Sequence, residues 1–341
     1  VEAKRVRRAA LKLVYEGRNV SADLAPFLLG VTYTDHAQGQ ADSLDIALDD
    51  RDRRWQGAWS PTEGDRIRAW IVLTDWRASG DRYELSCGTF DIDEPTLTGS
   101  PDRVEIKAVS ALVRTSLRRE RKSKAWESTG VRRVAQDIAQ AHGLSLYWDA
   151  EDIRLDRIDQ RDETDLAFLN RLCQELGLSL KCAEEKIIVY EGRRFDARAP
   201  VATISRGRSW LGNYRFKGRA GEVYRACQVS YFDPDVKRLM TSTYEPPGAP
   251  QVGHTLKISQ RATSQAEARR RARSELRRHN KHQVEAELTL AGEPGLVGGV
   301  TVLVEGFGNY DGKYFAEKAV HRLGEGSVYT TRVDLRKVLV Y

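Results

Sequence analysis

The tetrapeptide Gly-Leu-Ser-Leu occurs twice, at 143–146 and at 177–180, each time where an amphipathic run stops. The first run carries Val131, Val134, Ile138 and Ala141 at helical spacing, and Ser128-Thr129 stands where an N-cap is expected. The second begins near Asp162-Glu-Thr, behind an acidic N-cap cluster at Asp159-Gln160. Its stripe is Leu166, Leu169, Cys173 and Leu176, widened by Phe168 and Leu172. Gly143 and Gly177 are expected in the left-handed conformation that ends a helix. Short strands follow at 144–148, 178–182 and 186–190. Two helix–strand units 34 residues apart are too few for a solenoid, so they define one small α/β module over 114–194.

Both flanks read as β. Residues 43–49 alternate, with Leu44, Ile46 and Leu48 on one face, and residues 66–73 alternate with Ile67, Ala69, Ile71 and Leu73 inward. Further strands are expected at 11–15, 83–87, 88–92 and 104–109, and the stretch 93–102 has the composition of a loop. Beyond 195, strands are expected at 201–204, 220–232, 284–290, 300–304, 314–322 and 329–341, with a turn at Asp311-Gly312 and a loop at 244–253. One helix interrupts them. Ser264-Gln-Ala-Glu267 is a capping box, and the helix over about 264–280 has a thin apolar stripe of Ala268, Ala272 and Leu276. The expected fold class is mainly β with an α/β insert: a β-barrel over 1–113, the module over 114–194, and a second β-barrel with one basic helix over 195–341.

The net charge of +6 is concentrated. Arg118, Arg119, Arg121 and Lys122 fall in a run, 114–124, with one acidic residue; Arg269, Arg270, Arg273 and Arg277 fall in another, 269–281. Such clusters attract polyanions or acidic partners, or form a solvated rim. These eight residues are the candidate partner or lumen contacts. No window has the uncharged apolar length of a membrane span. The basic N-terminus lacks the apolar region of a signal peptide. Cys87, Cys173, Cys182 and Cys227 show no metal or disulfide spacing.

Residue patterns for catalysis are absent: there is no G-x-S-x-G, phosphate-binding loop, H-E-x-x-H or dinucleotide fingerprint. His279 and His282 are three apart with no suitable third ligand in the sequence, and the pairs Asp49-Asp50, Asp91/Asp93 and Glu184-Glu185 read as surface charge. Trp55, Trp70, Trp76 and Trp210 interleave with basic residues, but Trp70 sits inside an alternating strand, which favours core or subunit-interface packing over a stacking platform. No enzyme, cofactor or metal is expected.

Three segments carry a resemblance. They are Cys87-Gly-Thr-Phe-Asp-Ile-Asp-Glu with Ser100-Pro-Asp-Arg-Val-Glu-Ile-Lys-Ala; the 123–192 unit, with Lys124-Ala-Trp126, Ala141-His-Gly-Leu144 and Asp159-Gln-Arg-Asp-Glu-Thr-Asp-Leu; and Ser264-Gln-Ala-Glu-Ala with 298–308, 314–321 and Tyr329-Thr-Thr-Arg-Val-Asp-Leu. Together they resemble the phage late control protein D family, the baseplate hubs of contractile tails and tail-like bacteriocins, related to the hub part of type VI secretion spike proteins. The resemblance implies two tail-tube-like barrels per chain and a homotrimer whose six barrels form a pseudo-sixfold ring. That ring would join a sixfold tail tube to a threefold spike. Implied partners are the central spike protein, the tube or tube-initiator protein, the tape measure protein and other baseplate subunits. The implied location is an assembled tail, made in the bacterial cytoplasm and released by lysis. A different reading is a nucleic-acid-binding protein using the basic helix 264–281; a third, a peptidoglycan-cleaving enzyme, rests only on abundant carboxylates.

Overall fold

The computed structural model describes residues 6–341 apart from 112–115, 184, 209, 220, 222, 234–236, 250–252, 260, 261, 263, 325 and 327. Arg114, Glu184 and Pro250, named above or falling in ranges named above, lie outside the described residues. The first β segment contains β1 (Arg8–Tyr15), β2 (Arg18–Asn19), the short α1 (Ser21–Leu24), β3 (Leu28–His36), β4 (Ser43–Asp49), β5 (Arg66–Thr74), β6 (Arg82–Thr98) and β7 (Arg103–Ser110). The expected alternation is realised. Leu44, Ile46, Leu48, Ile67, Ala69, Ile71 and Leu73 are all buried, and each large aliphatic side chain among them contributes roughly 1.5–3 kcal/mol by leaving water. The stretch expected as a loop at 93–102 is instead mostly strand. β6 runs on to Thr98 because Glu94–Thr98 pair with β7, past a register shift after Ile92.

The middle of the chain contains α2 (Ser116–Arg119), β8 (Arg121–Gly130), α3 (Val131–Ala141), β9 (Ser145–Asp149), β10 (Arg154–Thr164), α4 (Asp165–Glu175), β11 (Leu178–Ala183) and β12 (Lys186–Glu191). β11, β12 and β9 form a three-stranded sheet, with β9 parallel to β12. Val134, Ile138, Leu169 and Leu172 share one apolar core with Ile187 and Val189 of that sheet. Gly143 and Gly177 take positive φ at the two helix ends, as the spacing predicts. Two expectations fail here. Ser128-Thr129 lies in β8 and caps nothing; the Asp152 carboxylate accepts the Arg132 N–H at 2.9 Å instead. Asp159-Gln160 lies in β10, which pairs antiparallel with β8 as a separate two-stranded sheet, and the cap of α4 is Thr164. This two-stranded sheet carries little apolar alternation, and Trp126, stacked on Phe168 at 5.3 Å, fixes it to the module core.

The last part contains α5 (Gly192–Ala197), β13 (Ala202–Ser205), β14 (Leu211–Gly218), β15 (Tyr224–Asp233), β16 (Arg238–Tyr244), β17 (His254–Ser259), α6 (Gln265–Asn280), β18 (Val284–Ala291), β19 (Thr301–Glu305), β20 (Gly312–Gly324) and β21 (Tyr329–Lys337). The expected N-cap is present, with Ser264 Oγ accepting the Glu267 N–H at 3.2 Å. The thin stripe Ala268, Ala272 and Leu276 is fully buried against the small β16-β15-β17 sheet.

The chain is mainly β with an α/β insert, as expected. Its two β parts are joined, however, in one 13-stranded sheet whose main path is β14-β18-β21-β20-β3-β4-β7-β6-β5-β1-β2. β20 pairs antiparallel with β3, so Leu323 and Tyr329 enter the core of the first β segment. Among the described residues no strand pairing closes either part into a barrel. A second link lies at the turn after β5, where Trp76 Nε1 donates to the Gly292 carbonyl at 2.7 Å. Gly292 has to be glycine: a Cβ there would lie 1.8 Å from the Tyr329 ring.

His321 sits fully buried in this seam, register-paired with Tyr33 and stacked between the rings of Tyr33 and Tyr329 at 5.8 and 5.9 Å. Its Nδ1 meets the Tyr329 hydroxyl at 2.7 Å and the Thr331 hydroxyl at 3.2 Å. Burial pulls its pKa down to about 4. The unfolded chain therefore binds a proton that the folded chain refuses between about pH 6.5 and pH 4, and stability contributed by this site is lost as pH falls through that window. Replacing His321 with Gln is expected to remove this component. The difference in unfolding free energy between native and variant, followed in urea across that window, should shift by up to about 3 kcal/mol against the native chain at low pH. A difference independent of pH would contradict this.

Candidate functional site: a three-way junction and two basic surfaces

The eight basic residues singled out from the sequence divide into two groups. Arg119, Arg121, Arg269 and Arg270 are exposed, and Arg118 and Arg273 are partly so. Arg269 and Arg273 flank the ring of Tyr244, each 5.9 Å from its centre. Arg121 pairs with Asp162 at 3.0 Å in an open position. Lys122 and Arg277 are turned inward. Lys122 Nζ is 2.8 Å from the buried Asp165 carboxylate. Arg277 donates to Asp196 and, at 2.6 Å, to the Tyr341 carbonyl. α6 also docks on the insert: Ser274 lies over Gly177, where a Cβ would come within 1.7 Å of the Ser274 hydroxyl. Gly177 therefore serves both as helix stop and as crossing point.

Other sequence readings are revised by burial. Asp50 is fully buried and accepts the Trp55 N–H at 3.1 Å, so it organises the turn after β4 rather than decorating a surface. Asp91 is buried as well, 3.4 Å from Arg66. Trp55 is in the core, whereas Trp70 lies on the outer face of β5 under Lys12 and Trp210 is exposed under Arg7. His282 does have carboxylates beside it, Glu285 at 3.2 Å and Glu317 at 3.5 Å. Among the described residues no group of three or more metal-ligating side chains forms. The four cysteines are free thiols.

Sequence reasoning missed the most organised polar site. Asp35 on β3 is buried and holds three parts of the chain at once. It pairs with Lys181 of β11, and its Oδ2 accepts the Gly298 N–H at 2.9 Å. Asp42 accepts the His36 N–H at 2.8 Å and lies 3.5 Å from Lys181. Tyr190 adds a hydrogen bond to the Ala37 carbonyl at 3.1 Å. Burial works against the Lys181 ammonium, yet Asp35 and Asp42 together hold its pKa above the ordinary lysine value. Burial pushes Asp42 up to about 7, against the pull of Lys181. These groups line a cleft of about 450 Å³ whose walls include Phe90, Tyr147 and Ile188. A signal for Asp35 existed: it continues the inward set Val31 and Tyr33 at period two, a charge on an apolar face.

A second buried network ties α5, α6 and β21. Asp196 accepts from Arg336 at 2.9 Å and also from Arg277, and Arg336 reaches Glu317 at 3.4 Å. Removing a carboxylate that neutralises two buried guanidinium groups leaves uncompensated charge, so Asp196→Ala is expected to destabilise the fold by about 3–5 kcal/mol in chemical denaturation. For Asp42 the sign is opposite to that of His321. Its folded carboxyl keeps a proton that the unfolded chain releases between about pH 4 and pH 7, so its contribution falls as pH rises. Asp42→Asn should make stability rise more steeply with pH across that range, by up to about 1.4 kcal/mol per pH unit; an unchanged slope would refute the assignment.

The same arrangement of a mainly β chain interrupted by an α/β insert is found in solved tail proteins. The tail protein from Neisseria meningitidis MC58 aligns over 97% of each chain with a TM-score of 0.71 and 14% identity. An Escherichia coli component of the type VI secretion system, described as structurally similar to bacteriophage T4 tail proteins, aligns over 92% of this chain and 74% of its own with a TM-score of 0.59 and 13% identity. At those identities the likeness speaks for the fold alone. The sequence itself goes further. Residues 92–327 match the phage tail baseplate hub (GPD) family, and the chain belongs to that family. The probable baseplate hub protein of Escherichia phage 186 is 29% identical over 181 residues, 52% of this chain and 44% of the relative, so this chain spans less than half the length of that relative. No helix among the described residues is long and apolar enough to cross a membrane.

Proposed function

We propose that the chain is a structural baseplate hub that assembles as a trimer, each copy supplying two tube-like β parts to a pseudo-sixfold ring. The ring joins a sixfold tail tube or tube initiator on one side to a threefold central spike on the other. In this reading 1–113 and 195–341 are the two ring-forming parts, and 114–194 is the insert that meets neighbouring baseplate subunits. The observation that carries the proposal is the single sheet formed by two β segments, locked at β3–β20 and by Asp35, within a chain of the hub family. A rigid two-lobed unit repeated three times gives six similar positions, which is what a change from sixfold to threefold symmetry needs. The sheet ends at β14 and at the two-residue β2 beside β1, edges that neighbours in such a ring satisfy most simply. The exposed Arg119, Arg121, Arg269 and Arg270 and the partly exposed Arg118 and Arg273 face the lumen or acidic partner surfaces, whereas Lys122 and Arg277 are withdrawn from that role by their internal ion pairs.

The nucleic-acid reading is weakened by the same geometry, because the stripe of α6 is buried and Arg271 and Arg277 are paired. The deciding measurement is native mass spectrometry of the chain alone and with its spike protein. Three hub copies, alone or on one spike trimer, are expected. A monomer in both samples would refute the ring.

A further inference from the structure

Ser116, His142 and Asp165 come from three separate elements of the insert and meet in one line. Ser116 opens α2, His142 follows the last turn of α3, and Asp165 begins α4. Asp165 Oδ2 is 2.7 Å from His142 Nε2, and His142 Nδ1 is 2.9 Å from Ser116 Oγ. The histidine and aspartate side chains are buried, while Ser116 is exposed. Asp165 also accepts from Lys122 Nζ at 2.8 Å and Gln160 Nε2 at 2.9 Å. Although burial opposes it, hydrogen bonds from His142, Lys122 and Gln160 hold the Asp165 carboxyl below its ordinary pKa, so it stays ionised.

The carboxylate fixes the tautomer. An ionised Asp165 can only accept, so His142 carries its proton on Nε2 and presents the Nδ1 lone pair to the serine. The Ser116 hydroxyl then donates to an imidazole that is oriented and, on gaining a proton, stabilised by a buried carboxylate. That is the relation of nucleophile, base and orienting acid that activates a serine, here with the two ring nitrogens exchanged relative to the commoner arrangement.

We propose that Ser116 is an activated nucleophile that accepts acyl or phosphonyl groups from small activated electrophiles arriving from solvent. In the acyl case Oγ attacks the ester carbonyl carbon and its proton passes to His142 Nδ1. The bond to the leaving oxygen breaks, that oxygen departs with the electron pair and takes the proton from His142, and an ester on Ser116 remains. Water, giving its proton to His142 Nδ1, then attacks the ester carbonyl; the acyl–Oγ bond breaks, the acyl group leaves as the carboxylic acid, and Oγ takes the proton back from His142. Activated esters are the substrate class because their leaving groups depart without the oxyanion stabilisation that amide cleavage demands. This role is independent of the hub assignment.

The test uses the full chain and a fluorophosphonate probe, which loses fluoride as Oγ bonds to phosphorus, with the site located by peptide mass spectrometry. Labelling at Ser116 is expected, absent in Ser116→Ala and slowed about a hundredfold in His142→Gln. No adduct at Ser116, or an equal rate in His142→Gln, would overturn the proposal. Where His142→Gln fails to fold, Ser116→Cys takes its place. A thiol beside this imidazole should alkylate with iodoacetamide at about pH 6.5 at least about tenfold faster than a free cysteine, and a rate equal to that of free cysteine would overturn the proposal.

Discussion

The antiparallel pairing of β3 with β20 is the constraint on which the rest of the structure depends. It merges two β segments that lie at opposite ends of the chain into one sheet. The same pairing encloses His321 between Tyr33 and Tyr329 and brings Gly298 to Asp35. With Lys181 arriving from the insert, one carboxylate then ties all three parts of the chain. Long-range strand pairing has a large loop-closure cost and is slow to form. It persists here because the seam also completes an apolar core, through Leu323 and Tyr329.

Buried charge in this protein is concentrated where separate parts meet. Asp35 with Lys181, Asp165 with Lys122 and Asp196 with Arg277 and Arg336 each bridge elements distant in sequence. Ion pairs of this kind add little net stability over an apolar replacement, but a wrong register would leave a charge unpaired in the interior. They therefore select one docking of the insert and one docking of α6. The seam carries two titrating groups of opposite sign. His321 weakens the fold on acidification, and Asp42 weakens it as pH rises over much the same range. In the native chain these slopes offset one another, leaving the junction less sensitive to pH than either group alone would make it.

Much of the organisation is legible in the sequence. The strands at 43–49 and 66–73, the two glycine-stopped helices and the Ser264 N-cap of α6 are all set by local rules, in which side-chain period, capping side chains and glycine conformation decide the outcome. The failures share a cause. β8 and β10 carry few apolar residues and exist through pairing with each other; β6 extends past Asp93 because β7 offers it a partner; and Asp50 and Asp91 are buried by neighbours remote in sequence. Arg277 and Lys122 look like free surface charge in the sequence and become internal partners only in the fold.

The sequence by itself determined a mainly β chain with an α/β insert, its place among baseplate hubs, and where positive charge is concentrated. The fold pattern and the charge follow from periodicity, capping residues and composition, each local to a few residues, and the place among hubs from the family match over 92–327. Tertiary structure alone decided that the two β parts share one sheet, that Asp35, Asp42 and Lys181 converge, and that Ser116, His142 and Asp165 align. Each of those depends on pairing between segments far apart in the chain, where the energy lies in mutual burial and in charge matched to charge, and one strand read in isolation does not reveal its partner.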